Sequence, residues 1–306
     1  MREESHSWET RSTYETRKGQ AFWQQRASLS CQKLVALIVN LFTWPFSWSA
    51  ITHLAYYLSV APGSKWLIPL FIKLCAVDVN EDELSLRDYP NLAAYFSRNL
   101  KAQLRPICQE EHSLVAPVDG EVIAIGDLKA SAKLRVKSQI YTLDKLLANS
   151  VEDGASYLNG SYMIIYMPTG VYHHVHSPCV GQIISAKFIP GRHFALHEWS
   201  REHTSELYSR NTRQINYLLP TGKEDKQALV LVQVGSALVG SIVNNFTLTE
   251  VENNMVHFTR GQDIGHFAFG STVILIIPPG LAEFESNLRV GDSLKVGQKI
   301  GKFMEN

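Results

Sequence analysis

The segment HFAFGSTVILIIPPG, residues 266–280, limits what this chain can become more than any other. Val273, Ile274, Leu275, Ile276 and Ile277 form an unbroken, mostly β-branched run closed by Pro278 and Pro279, and such a run reads as a fully buried strand. Similar texture precedes and follows it. LVAPVDGEVIAIG, SYMIIYMPTG, QIISAKFIPG, ALVLVQVGSALVGSIV and LRVGDSLKVGQKIGKF are short apolar runs punctuated by turn residues, so from Leu114 onward the chain is predicted to be mostly β. One helix is expected there, over Tyr141–Ser150. With 306 residues and 45% hydrophobic content a sizeable core can be buried. Basic and acidic residues balance at 29 each, so net charge calls for neither nucleic acid nor an acidic polymer. Cys31, Cys75, Cys108 and Cys179 form no C-x-x-C pair and read as reduced thiols.

The amino-terminal third differs. Residues 1–30 read as a polar tail, whose first 20 residues mix acids with bases around no apolar segment, unlike a signal or transit peptide. Leu34 to Ser64 contains no Asp, Glu, Lys or Arg, yet it is dense in aromatic residues. A spanning helix needs roughly 20 predominantly apolar residues, whereas this stretch is broken by Asn40, Pro45 and Pro62. Interfacial helices are therefore expected, with Leu41, Phe42, Trp44, Phe46 and Trp48 binding the membrane and Lys33, Lys65 and Lys73 at the edges. A hairpin or single span, and a helical layer packed on the protein's own core, remain as alternatives. A further helix predicted over Tyr89–Leu100 would brace this region, residues 31–106, against the body. The expected class is α+β: a helical, membrane-associated amino-terminal region, then a β-rich sandwich or barrel-like core over residues 107–306.

Three places carry polar residues that a structural strand does not need. Asp119-Gly120, alone, suits a hairpin turn. His173, His174 and His176 follow; on a strand His174 and His176 share one face and His173 takes the other. The H-x-H pair could bind zinc, one histidine could be a general base, or all could be structural. No H-E-x-x-H or C-x-x-C supports the metal. His193 and His197 have helical metal spacing but are expected to be solvent-exposed. Ser271 lies outside any G-x-S-x-G elbow, which disfavours an ordinary acyl-transfer serine. Even so, Asp119, a histidine and Ser271 supply the carboxylate, imidazole and hydroxyl of an activated nucleophile. Gly270, without a Cβ, lets its carbonyl approach that hydroxyl closely.

With these residues assembled, the chain resembles the phosphatidylserine decarboxylases, which depend on a covalent pyruvoyl group. The resemblance runs from about Trp66 to the end through APVDGEV, YTLDKLL, YHHVHSPC, FIPG, SRNTR, VGSALVGSI, GHFAFGST and PPG. It implies that Ser271 attacks the Gly270 carbonyl, and that ester formation, elimination and hydrolysis leave pyruvate at the head of a small α chain while residues up to Gly270 form the large β chain. Asp119 and His176 match the positions that activate the serine, and His173 matches the proton donor of decarboxylation. His174 matches no role. The product ketone condenses with the substrate amine and accepts the electron pair released with carbon dioxide. The resemblance further implies a phospholipid substrate, a peripheral position on the cytoplasmic face of an inner membrane, no metal and no external cofactor, with a homodimer left open. Because His173 and His176 should face apart, irregular backbone is expected around them. Phe269 and Ser138 stand where the family more often has a smaller aliphatic residue and a glycine. Two rival readings are a membrane-docked β-sandwich that never matures and an H-x-H zinc hydrolase.

Overall fold

A computed structural model describes residues 48–128, 133–136, 139–148, 155–224, 227–236, 242–268 and 271–304. The strands are β1 (Ser113–Val115), β2 (Gly120–Asp127), β3 (Lys133–Val136), β4 (Gln139–Thr142), β5 (Ser161–Met167), β6 (His174–His176), β7 (Gly181–Ile189) and β8 (Arg213–Pro220). They continue with β9 (Leu229–Gly235), β10 (Ile242–Asn244), β11 (His257–Phe258), β12 (Asp263–Phe267), β13 (Ser271–Ile277), β14 (Ala282–Phe284), β15 (Ser293–Leu294) and β16 (Lys299–Phe303).

The aliphatic run forms β13, and it lies inside an eight-stranded sheet ordered β11-β7-β8-β9-β13-β5-β2-β15. It pairs antiparallel with β5 from Ser271↔Met167 to Ile277↔Ser161, and on its other side with β9 from Ser271↔Gly235 to Ile276↔Val230. Alternation sends Val273, Leu275 and Ile277 into one apolar cluster and Ile274 and Ile276 into another. All five are fully buried, each worth about 1.5–3 kcal/mol relative to exposure. The first cluster is covered by two three-stranded sheets, β1-β16-β14 and β10-β12-β6. The second lies under the β3-β4 hairpin and the short helices Leu143–Leu147 and Leu207–Arg210.

The core is thus β-rich and layered, but the expectation of a barrel is corrected. The large sheet ends in β11 and β15, strands of two residues each, which offer too few pairings to close a ring. The predicted helices also shorten. Tyr141 is drawn into the β3-β4 hairpin, so its helix starts at Leu143 and ends at Ala148 in the left-handed region. The brace helix spans only Leu92–Phe96, capped by the Asn91 side chain, because Leu100 bridges to Asp82 instead. Asp119-Gly120 is not a hairpin turn: β1 pairs with β16, β2 with β5 and β15. Gly120 is required by close approach, since a Cβ there would meet the Tyr166 carbonyl oxygen at 2.4 Å. His193 is buried rather than exposed, and His197 caps the helix Glu198–His203 through its ring.

Upstream, the helix Ile68–Cys75 packs with Val77, Tyr89 and Tyr95 around Ile68, while the helix Trp48–Val60 and a 3-10 turn at Pro62–Leu67 lie against the brace helix. Among the described residues no single helix is long and apolar enough to cross a membrane; Leu54–Val60 and Pro62–Cys75 would qualify only as a pair bent by 84°. Leu54, Tyr57, Leu58, Leu70 and Trp66, the last 84% exposed, project from this layer. Leu41, Phe42, Trp44 and Phe46 lie outside the described residues, and Trp48 opens the first described helix. The layer is fastened to the body by Arg98, whose guanidinium pairs with buried Asp82 at 2.7 Å and donates to the Gly170 carbonyl at 3.0 Å.

Candidate active site

Ser271 is the first residue of β13 and is fully buried. Its hydroxyl donates to the Met167 Sδ at 3.0 Å, a weak acceptor. Gly270, on the other side of the expected cleavage point, lies outside the described residues. Met167 ends β5, and the chain leaving it carries Val171, Tyr172 and His173 into β6. β12 pairs with β6 and then, after Phe267 and Ala268, the chain returns to Ser271. Ser271 and the histidines therefore lie on chain segments that run between the small sheet and the large one.

His173 precedes β6 in irregular backbone, as expected from the opposed faces of the histidines. It is fully buried against the Phe96 ring at 4.2 Å. Its Nδ1 donates to the Val171 carbonyl at 2.8 Å, so in the neutral ring Nε2 carries a free lone pair. Among the described residues that Nε2 has no hydrogen-bond partner. Burial pulls the imidazole pKa down to about 3, so it is neutral near pH 7.

His176 donates from Nδ1 to the Gly261 carbonyl at 2.8 Å and accepts at Nε2 from the Tyr172 hydroxyl at 3.1 Å. Burial is the main cause of its lowered pKa. His174, on the same face, stacks between Tyr172 at 4.8 Å and His266 at 5.0 Å. Its Nδ1 meets the Asp263 carboxylate at 2.6 Å and its Nε2 the Ser97 carbonyl at 3.1 Å. Every nitrogen of the H-x-H pair is thus hydrogen-bonded within the protein.

Asp119 lies in the bend between β1 and β2, beside β6, where the His176 amide donates to the Pro117 carbonyl at 2.7 Å. It accepts from Arg105 and from the Val296 amide, not from a histidine. Among the described residues Asp119, His176 and Ser271 make no hydrogen bond to one another. Sequence reasoning missed Tyr172 and Arg105, the groups that contact His176 and Asp119 directly. The tyrosine stands inside the quoted YHHVHSPC segment, and Arg105 had only its place before Pro106 as a signal.

A family model described as phosphatidylserine decarboxylase matches residues 92–302, which includes every residue named in this site. The chain belongs to the phosphatidylserine decarboxylase family. A curated phosphatidylserine decarboxylase proenzyme from Coxiella burnetii (strain RSA 331 / Henzerling II) is 30% identical over 250 residues, covering 78% of this chain and 87% of that protein. The proenzyme of Brevibacillus brevis is 30% identical over 254 residues, covering 79% and 90%. That of Haemophilus ducreyi is 28% identical over 305 residues, covering 93% and 97%.

For this phosphatidylserine decarboxylase family member, the buried neutral His173 has a consequence for stability. Its folded pKa lies below the ordinary 6.5, so as pH falls through 6.5 the unfolded chain takes up a proton that the folded chain refuses. Stability is complete above about pH 6.5 and falls by about 1.4 kcal/mol per pH unit beneath it from this group, with His176 acting in the same direction. Urea unfolding at pH 7 and pH 5 should differ by about 2 kcal/mol or more on this basis. Equal stabilities at the two pH values would contradict the burial of a neutral His173.

Proposed function

We propose that this chain is a self-processing enzyme that converts phosphatidylserine to phosphatidylethanolamine, using pyruvate made from Ser271. The observation that carries the reading is the Ser271 hydroxyl itself, buried at the head of a central strand and, among the described residues, donating only to a thioether. A structural position there would be better filled by an apolar residue. Family membership and the proenzyme names of the relatives support the same chemistry.

In this reading the Ser271 oxygen attacks the Gly270 carbonyl, and the residues around His176 and Asp119 receive and hold the proton it loses. Chain cleavage gives a β chain ending at Gly270 and an α chain of residues 271–306. The pyruvoyl group, once formed, supplies the electron sink for loss of carbon dioxide. The unpartnered Nε2 of His173 fits the other requirement. Its open lone pair is a site from which a proton can be relayed to the carbon that carbon dioxide leaves. Phe96 packs against the same ring.

The exposed apolar residues of the helical layer support docking on a lipid surface, which we place at the cytoplasmic face of an inner membrane. Replacing Leu58, Trp66 and Leu70 together by serine should weaken flotation with phosphatidylglycerol-containing vesicles at least tenfold, at unchanged turnover of a soluble short-chain substrate. Undiminished flotation would place the anchor elsewhere. The direct test of the activity is release of carbon dioxide from phosphatidylserine by the purified protein, with phosphatidylethanolamine appearing in equal amount; a protein that binds the lipid without turnover would support the binding-module reading.

A further inference from the structure

We infer that Arg105 is the positioning residue for the Asp119 carboxylate, and that through Arg105 the residue Glu81 ties the helical layer to the Ser271 processing site. The inference rests on the reading above, in which Asp119 assists activation of that serine.

Asp119 is only 4% exposed, and four hydrogen bonds hold it. Arg105 Nε lies 2.9 Å from each carboxylate oxygen, Arg105 Nη2 lies 2.5 Å from Oδ2, and the Val296 amide lies 2.8 Å from Oδ1. A buried carboxylate needs such compensation, and a planar guanidinium fixes its rotation as a point charge cannot. The held carboxylate acts on its surroundings by its field. Burial chiefly, and then the charges of Asp263 and Asp119, raise the pKa of Tyr172, the hydroxyl that donates to His176.

Arg105 is itself oriented from the opposite side. Its Nη2 donates to Glu81 Oε2 at 2.8 Å and its Nη1 to the Leu104 carbonyl at 3.0 Å. Burial alone would raise the Glu81 pKa, but the hydrogen bond and charge of Arg105 bring it below the usual range. Glu81 belongs to the helical layer, where the Lys101 amide donates to the Glu81 carbonyl at 3.1 Å and the Glu83 amide to the Asn99 carbonyl at 3.1 Å. Pro106 directly follows Arg105 and restricts its backbone to extended conformations, which limits the directions in which the guanidinium can point. The same layer touches the site at Phe96 on His173, Ser97 on His174 and Arg98 on Gly170, where a Cβ would also strike the Cys75 carbonyl at 2.2 Å. One contiguous segment thus sets the carboxylate and both flanks of the histidine cluster.

The test follows appearance of the small chain by mass in full-length protein, with thermal unfolding measured on the same samples. Arg105→Ala should slow cleavage about 100-fold, the order expected when a catalytic group is misplaced by about 1 Å. Guanidinium chloride at millimolar concentration should restore much of that loss. Arg105→Lys, which keeps the charge without the fork, should cleave at an intermediate rate, and Glu81→Gln should slow cleavage by a smaller factor. Cleavage of Arg105→Ala at the wild-type rate overturns the inference. So does slowing of both Arg105 variants in proportion to lost thermal stability, with no response to guanidinium, because that is a folding role alone. Asp119→Asn separates the two levels: wild-type cleavage in that variant removes Asp119 from processing, and a wild-type chain that never cleaves removes the proposed function itself.

Discussion

Ser271→Ala should yield a folded chain that neither cleaves nor decarboxylates. Alanine has no β-oxygen to attack the peptide or to be eliminated, and losses on removing a covalent nucleophile reach about 10⁶-fold in rate. The fold should not register the change. The hydroxyl is fully buried at the head of β13 and its partner is the Met167 sulfur, so its removal discards one weak hydrogen bond and one desolvated polar group. These contributions nearly cancel, and the unfolding free energy should stay within about 1 kcal/mol of the parent. Gel mobility reports the cleavage and thermal unfolding reports the fold. A variant that remained uncleaved but had lost several kcal/mol would show that Ser271 is needed for packing, which its surroundings give no reason to expect. A variant that still released carbon dioxide from phosphatidylserine would remove Ser271 from the chemistry.

The second large effect is at His173, where cleavage and turnover should separate. In His173→Gln the ring that carries the free Nε2 is lost, and turnover should fall by about 10²–10⁴-fold, the usual contribution of a positioned proton carrier. Cleavage should persist, because the groups assigned to it are Ser271, His176 and Asp119. Glutamine is preferred to alanine, since His173 is fully buried against Phe96 and truncation would leave a cavity costing about 2–5 kcal/mol. The amide can retain the contact to the Val171 carbonyl without offering a basic nitrogen. The measurement is carbon dioxide released per cleaved molecule. Full turnover in the cleaved variant would remove His173 from the catalytic cycle, and failure to cleave would place it in processing instead.

Legibility of this protein from its sequence differed between its parts for physical reasons. β13 announced itself because a strand covered on both faces needs an unbroken aliphatic run, and this one is short, mostly β-branched and closed by Pro278 and Pro279, which a helix would not favour. The histidine cluster was equally visible as chemistry, and its irregular backbone followed from strand alternation. The helices were overextended because periodicity alone does not show where a competing hairpin takes Tyr141 or where Leu100 pairs with Asp82. Asp119-Gly120 looked like a turn because close approach of Gly120 to the Tyr166 carbonyl depends on a strand far away in sequence. Arg105 and Tyr172 were overlooked for the same reason: an arginine 14 positions from its carboxylate has no spacing signature. His193, read as exposed, is buried by packing that its neighbours in sequence do not encode.

The central claim is that Ser271 becomes the reactive group by splitting the chain before it, and intact mass of the purified protein tests it most directly. The undivided chain weighs 34.4 kDa. The account predicts two species that stay together until denatured, because β13 is paired with β5 on one side and β9 on the other. The smaller, residues 271–306, should carry about 4 of the 34.4 kDa. It should also be about 17 Da lighter than a hydrolysed peptide, the loss of ammonia that leaves a ketone in place of an amine. A single species of full mass in folded protein, or a small chain that still begins with a free serine amine, would contradict the account.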